Sequence, residues 1–297
     1  PRVLAMFVEA RPRLMAADEA IKQAIAARAA IDPNRLSPRR RADVETLDPY
    51  LPLLRDGLAA ATILPKLLGA EGFGPQTYLI LLQNEDELRA TGGFITAVGT
   101  VTIDRGQVAS YTLEDSYAID DLSKPYLPAP WQLDQYMYSH LWMLRDSNWS
   151  PDFPTSATLA EHLFIYTRRH SVDGVIAVDQ AAIRLLLQGV GPVEVEGATG
   201  PVTADNVIAY MRSAKAPASG GAPDQEWWRQ RKDFMRRLGD SLVAKLQLDT
   251  GLSWSELGRA MLQALDERHV LIQLDDPTAA AVLANRRART KATAAAW

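Results

Sequence analysis

A chain of 297 residues, 47% of them apolar and with a mean hydropathy of −0.13, is long enough to bury a full core as one large domain or two modest ones. Its net charge of −4 and pI near 5.7 lack the basic excess of a general nucleic-acid binder, so no nucleic-acid partner is expected. It has no cysteine, which excludes thiol catalysis and cysteine metal sites, and no apolar run of about 18 residues that would span a bilayer.

Residues 1–68 read as helices. Leu4, Phe7, Val8, Leu14 and Met15, then Ile21, Ile25 and Ala29, recur at helical spacing in an Ala-rich background. Pro33 breaks the pattern. A further helix is predicted from Pro38 to about Leu58, with Val44, Leu47, Leu51 and Leu54 on one face. Together these form a helical hairpin or stalk, with Arg39, Arg40 and Arg41 on a solvated face. The sequence opens at Pro1 rather than methionine, and we expect a processed protein or one trimmed after a signal or anchor.

Gly69, Gly72 and Gly74 mark a short linker, so the expected divisions are 1–68, 69–285 and a frayed tail, 286–297. Tyr78–Leu82 is an apolar run suited to one buried strand, and a polar loop, Gln83–Gly93, follows it. Phe94–Ile103 and Gln107–Leu113 are strands joined over Asp104-Arg105-Gly106, a hairpin signal because Gly106 takes positive φ without steric cost. Glu114-Asp115 and Asp120-Asp121 come next. Charged loops thus follow two strands, and open α/β sheets keep ligands at such an edge. Gly92-Gly93 permits backbone to approach something closely, or makes only a tight turn.

A Pro- and Tyr-rich loop leads to an aromatic segment, Trp131–Trp149, that is either core or the lining of an apolar groove. Helices are predicted near 157–169, 180–187 (stopped at Gly189 and Gly191), 204–211, 227–246 and 253–265, and strands at 175–178, 193–195 and 269–274. This alternation gives an α/β class: a mixed central sheet flanked by helices, preceded by an N-terminal helical segment.

No Gly-x-Ser-x-Gly motif, Walker loop or paired histidine spacing is present. What remains is carboxylates in early loops and arginines late in the chain. Oxygen ligands suit a hard cation such as Mg²⁺, and arginine forks suit phosphate. By composition alone, arginines pairing with an acidic surface is the simpler account.

The runs Tyr78–Asn84, Glu87–Phe94, Leu144–Ala157 and Val172–Asp179 resemble a bacterial family known only as a domain of unknown function, whose members are typically anchored by an N-terminal membrane helix. That resemblance covers about Leu64 to Leu283. The order of elements more faintly resembles the LytR–CpsA–Psr family, which attaches lipid-pyrophosphate-linked glycopolymers to bacterial cell walls. Its counterparts here run Arg89–Gly92, Glu114-Asp115, Arg145 with Asn148, Gly191–Val195, Tyr210-Met211-Arg212, Asp224, then Arg229 with Arg231. Glu114 stands where that family has an arginine.

This second resemblance implies Asp115 and Arg145 as catalytic positions, with Asp115 also the carboxylate for a Mg²⁺ ion. It implies pyrophosphate binding by Arg89, Arg212, Arg229 and Arg231. The implied protein sits on the extracytoplasmic face of the cytoplasmic membrane, held by an anchor absent from this chain, and binds a lipid-linked glycan or polyprenyl phosphate. The alternatives are an active glycopolymer phosphotransferase or a non-catalytic envelope scaffold.

Overall fold

The computed structural model describes residues 2–48, 50–70, 72–213, 233–248 and 251–284. They fall into two compact units: 2–76 with 103–107 and 275–284, and the described part of 77–102 with 108–274.

In the first unit, helix α1 (Arg2–Ala29) packs against α3 (Tyr50–Leu67), with α2 (Pro38–Leu47) between them in sequence. The helix expected over 38–58 is therefore two. The Arg28 guanidinium donates both Nε and Nη2 to the Asp48 carboxylate, at 2.6 and 2.7 Å, and so ties the end of α1 to the end of α2. A bidentate fork of this kind fixes direction as well as distance. No helix among the described residues is long and apolar enough to cross a membrane.

The sheet has five strands: β1 (Gln76–Asn84), β2 (Phe94–Asp104), β3 (Gln107–Asp115), β4 (Gly174–Val178) and β5 (Val270–Leu274), in the order β3-β2-β1-β4-β5. Five of the six expected strands share it. Arg105 and Gly106 have φ of 50° and 76°, the paired left-handed conformation that a two-residue hairpin turn demands. Thr77 lies opposite Thr102, and the Thr96 hydroxyl reaches the Leu82 carbonyl, so β1 and β2 run antiparallel. β1 and β4 are parallel, with Leu79 beside Val175 and Leu82 beside Val178, whereas β4 and β5 are antiparallel. The sheet is mixed.

Alternation along β1 and β4 divides the core. Leu79, Leu81, Val175 and Ala177 pack with Phe153, Ala157, Ala160 and Phe164 of α6 (Phe153–Arg168). Ile176 and Val178 face the other side, toward Ala182 and Leu185 of α7 (Gln180–Val190). That side also carries α8 (Val207–Ser213), α9 (Asp233–Leu248) and α10 (Trp254–Asp266). Two short helices, α4 (Ser116–Ile119) and α5 (Trp131–Met137), and a 3-10 segment, Leu144–Trp149, occupy the β3–α6 connection.

Two local expectations differ from what is seen. Residues 193–195 do not form a strand: Val193 and Val202 exchange one antiparallel bridge, at 2.9 and 2.8 Å. Gly189 does not stop α7, which runs to Val190 and ends at Gly191 with φ of 80°. A Cβ at Gly189 would instead lie 2.7 Å from the Leu257 backbone, so Gly189 is what lets α7 and α10 approach.

Gly189→Ala tests this. In an exposed helix the change would be stabilising by roughly 1 kcal/mol, but here the methyl must push α10 away, and we expect a loss of about 1–3 kcal/mol in chemical denaturation. A gain in stability would show the contact to be compliant.

Candidate functional site

β1 and β4 run parallel, so both release their chains at the same edge, where the loop 84–93, the β3–α6 connection and the start of α7 meet. Asn84 ends β1, and its carbonyl accepts from the Glu87 N–H at 3.1 Å. Gly93 crosses directly over it: a Cβ there would sit 2.1 Å from the Asn84 carbonyl oxygen. The close approach expected at Gly92-Gly93 is thus made to the protein's own strand end. Gln83 donates to the Thr91 hydroxyl at 2.8 Å, and Asn148 Nδ2 donates to the same hydroxyl and to the Gly93 carbonyl at 3.2 and 2.8 Å. This network stitches the loop to the 3-10 segment.

Two arginines converge here on one buried carboxylate. Arg89 Nη2 and Arg145 Nε lie 3.7 and 3.8 Å from the two oxygens of Asp146, whose side chain is 6% exposed. Those distances make ion pairs but are too long for hydrogen bonds. Asp146 is itself fixed by the Ser139 hydroxyl, which donates to Oδ2 at 3.1 Å. Each guanidinium rests on a ring: Arg89 lies 5.0 Å from the centroid of Phe94, and Arg145 lies 4.5 Å from that of Tyr117. The two rings are neighbours, with centroids 6.3 Å apart. Stacking of this kind orients the planar fork without using its donors.

Arg145 Nη1 also reaches Asp120 at 3.3 Å, and the Leu144 N–H donates to the same carboxylate at 3.1 Å. Burial pushes Asp120 above the usual carboxylate range; its hydrogen bond from Leu144 and the charge of Arg145 only partly offset this, and Asp146 adds to it. Several polar atoms in this region are buried without a hydrogen-bond partner among the described residues: Arg89 Nε, Ser116 Oγ, Ser147 Oγ and Asn148 Oδ1. Buried donors and acceptors are normally paired, so these four atoms are where a bound water or ligand would find partners.

The opposite side of the same strand edge is acidic. Glu85 accepts from the Ala181 N–H at 3.2 Å, and Asp179 caps α7 through the Ala182 N–H at 2.9 Å. His269 Nδ1 lies 2.8 Å from Asp179 Oδ2. Burial, then the charge of Asp179, holds Glu85 above the ordinary carboxylate value.

The structure brings two of the expected site residues together, Arg89 and Arg145, through Asp146. Asp115 caps α4, accepting from the N–H of Tyr117 at 3.0 Å, so it stands at the base of the ring that supports Arg145. Arg212 donates to Asp86 on the β1–β2 loop at 2.7 and 3.3 Å, and Asp86 holds its guanidinium more firmly protonated. Arg229 and Arg231 lie outside the described residues. Glu114 accepts from Arg168 at 2.7 Å. The aromatic segment is not core throughout: Trp131, Tyr136 and Tyr138 are exposed, Tyr138 at 83%. Asp120 was read from sequence only as part of a charged loop, and Asp146 and Ser147 were given no role of their own. The signal for these last two was their place beside Arg145, which reads locally as an ordinary polar stretch.

Residues 73–215 match the model of a family described as a protein of unknown function, DUF4012, a stretch just under half of the chain. The resemblance carried by the sequence motifs is borne out over that stretch. No curated protein matches the chain. Similar solved structures include TagV of Bacillus subtilis (10% identity, TM-score 0.39, covering 70% of this chain and 78% of that one). TagU of the same organism is 11% identical, with TM-score 0.38 and coverage of 67% and 77%. Protein gbs0355 of Streptococcus agalactiae is 13% identical, with TM-score 0.43 and coverage of 73% of each chain. TagU and TagV are LytR–CpsA–Psr proteins, the family of the fainter resemblance. At these scores no residue role passes from them to this chain.

Two outcomes follow from the geometry. Asp146→Ala leaves two half-buried guanidinium groups without their shared counter-charge and should cost roughly 3 kcal/mol or more of folding stability, measured by chemical denaturation; a loss near zero would show that Asp146 does not organise the pair. Asp120 binds its proton more tightly folded than unfolded, so its contribution is full below the ordinary carboxylate range and is lost as pH rises through its raised folded value. Stability should therefore decline from about pH 4 upward by an increment that Asp120→Asn abolishes.

Proposed function

We propose that this protein binds a polyprenyl-(pyro)phosphate-linked glycan at this sheet edge, as an extracytoplasmic protein of the bacterial envelope anchored by a segment outside this chain. The observation that supports it most directly is the pair Arg89 and Arg145. Both are stacked on rings and held by Asp146 at distances that leave donors underused, including the buried Arg89 Nε. A phosphate oxygen accepts charge-assisted hydrogen bonds from planar forks of this kind better than the offset carboxylate does. Arg212, on the same loop through Asp86, supplies a further cation. The exposed Trp131, Tyr136 and Tyr138 offer apolar and aromatic surface for the lipid or sugar.

A Mg²⁺ ion at Asp115 belongs to the same proposal. Mg²⁺ is commonly held by one or two carboxylates with phosphate oxygens and water completing its shell. Asp115 fits that role in the presence of a phosphate ligand, where the ion would neutralise charge. One observation favours a catalytic version, in which the protein transfers the glycopolymer: Asp120, raised by burial, touches Arg145 and provides a carboxylate able to hold a proton at the phosphate.

Binding of geranylgeranyl pyrophosphate, followed by calorimetry, tests the reading. Arg145→Lys keeps the charge and removes the fork, and should weaken affinity about tenfold, or 1.4 kcal/mol. Arg212→Ala should do the same with little change in melting temperature, since Arg212 is exposed. Equal affinity in wild type and both variants would overturn the pyrophosphate site.

A further inference from the structure

Glu85 follows the end of β1, Asp179 follows the end of β4, and His269 precedes β5. Their ligand atoms all lie within 4.8 Å of one another. We infer that these three side chains form a site for a divalent transition-metal ion, separate from the arginine pair and independent of the reading above.

Each ligand is already oriented. One oxygen of Glu85 is held by the Ala181 N–H and one oxygen of Asp179 by the Ala182 N–H. His269 Nδ1 faces Asp179 Oδ2, while Nε2 lies 3.6 Å from Glu267 Oε2. A histidine that ligates through one nitrogen commonly gives its other N–H to a carboxylate, which fixes its tautomer. Glu267 lies on that side of the ring, at ion-pair distance but beyond hydrogen-bond reach until the imidazole turns toward the ion. The carboxylates capping α7 explain Glu85 and Asp179 without an ion, but helix capping needs neither an imidazole nor a second carboxylate behind it.

Bonds of about 2.0–2.2 Å bring ligand atoms to roughly 3–4 Å from one another, so the three side chains need only a small inward rotation. An imidazole with two carboxylates selects a first-row transition ion such as Zn²⁺ over Mg²⁺, which prefers oxygen alone. Three protein ligands leave a fourth position for water or substrate. The ion enters as the proton between His269 Nδ1 and Asp179 leaves. It pins together the edges of β1, β4 and β5, strands drawn from distant parts of the sequence.

Calorimetric titration of the full chain with Zn²⁺, with Mg²⁺ in parallel, should give one zinc site per chain and far weaker binding of Mg²⁺. His269→Ala and the near-isosteric Glu85→Gln should each weaken zinc by about tenfold or more, and Asp115→Asn should leave it unchanged. The inference falls if zinc does not bind, or binds equally to both site variants. Should the variants fail to fold by circular dichroism, zinc-soaked crystals of the wild type decide the matter. An anomalous peak among Glu85, Asp179 and His269 supports the site, and a peak elsewhere or none overturns it.

Discussion

The parallel pairing of β1 with β4 is the constraint on which the rest depends. Parallel strands cannot be joined by a tight turn, so the chain must leave β1 and travel a long way before β4 begins. That route includes the β2–β3 hairpin, the loop-rich stretch with α4, α5 and the 3-10 segment, and α6. Pairing Leu79 with Val175 through Leu82 with Val178 also fixes where both strands end. The side chains that follow, Asn84 to Asp86 on one strand and Asp179 and Gln180 on the other, are thereby set side by side. Asn84 and Gln180 are buried and hydrogen-bond across this junction. Helices on both faces then cover this parallel pair, as parallel strands require, while β3 stays largely exposed.

A second layer of organisation is electrostatic. Asp146 is buried, and an isolated buried carboxylate is costly. It is tolerated because two guanidinium groups and the Ser139 hydroxyl surround it. The same arrangement restrains the arginines, each long and otherwise entropically expensive to order. Rings from β2 and from the α4 region complete the support. Preorganisation of this kind lowers the entropy lost when a ligand is bound.

The edge therefore carries two chemistries side by side. Toward β2 and the β3–α6 connection lie stacked cations and buried polar atoms without a partner among the described residues. Toward α7 and β5 lie carboxylates and an imidazole. Asp86, which follows Glu85 directly, takes Arg212 and so joins α8 to the loop between these regions.

The sequence by itself determined the strands, because buried runs such as Tyr78–Leu82 and Gly174–Val178 announce themselves by apolar pattern, and the hairpin, because Arg105-Gly106 requires a left-handed turn. It also showed that charged loops follow the strands. Tertiary structure alone decided what those loops do. Arg89, Asp146 and Arg145 meet only because β1 and β2 place one loop against a distant 3-10 segment, and no local periodicity records that encounter. His269 reaches Asp179 through the pairing of β5 with β4. Gly189 looked like a helix stop because a glycine's missing side chain reads the same whether it ends a helix or admits a neighbour, and only the position of Leu257 tells them apart.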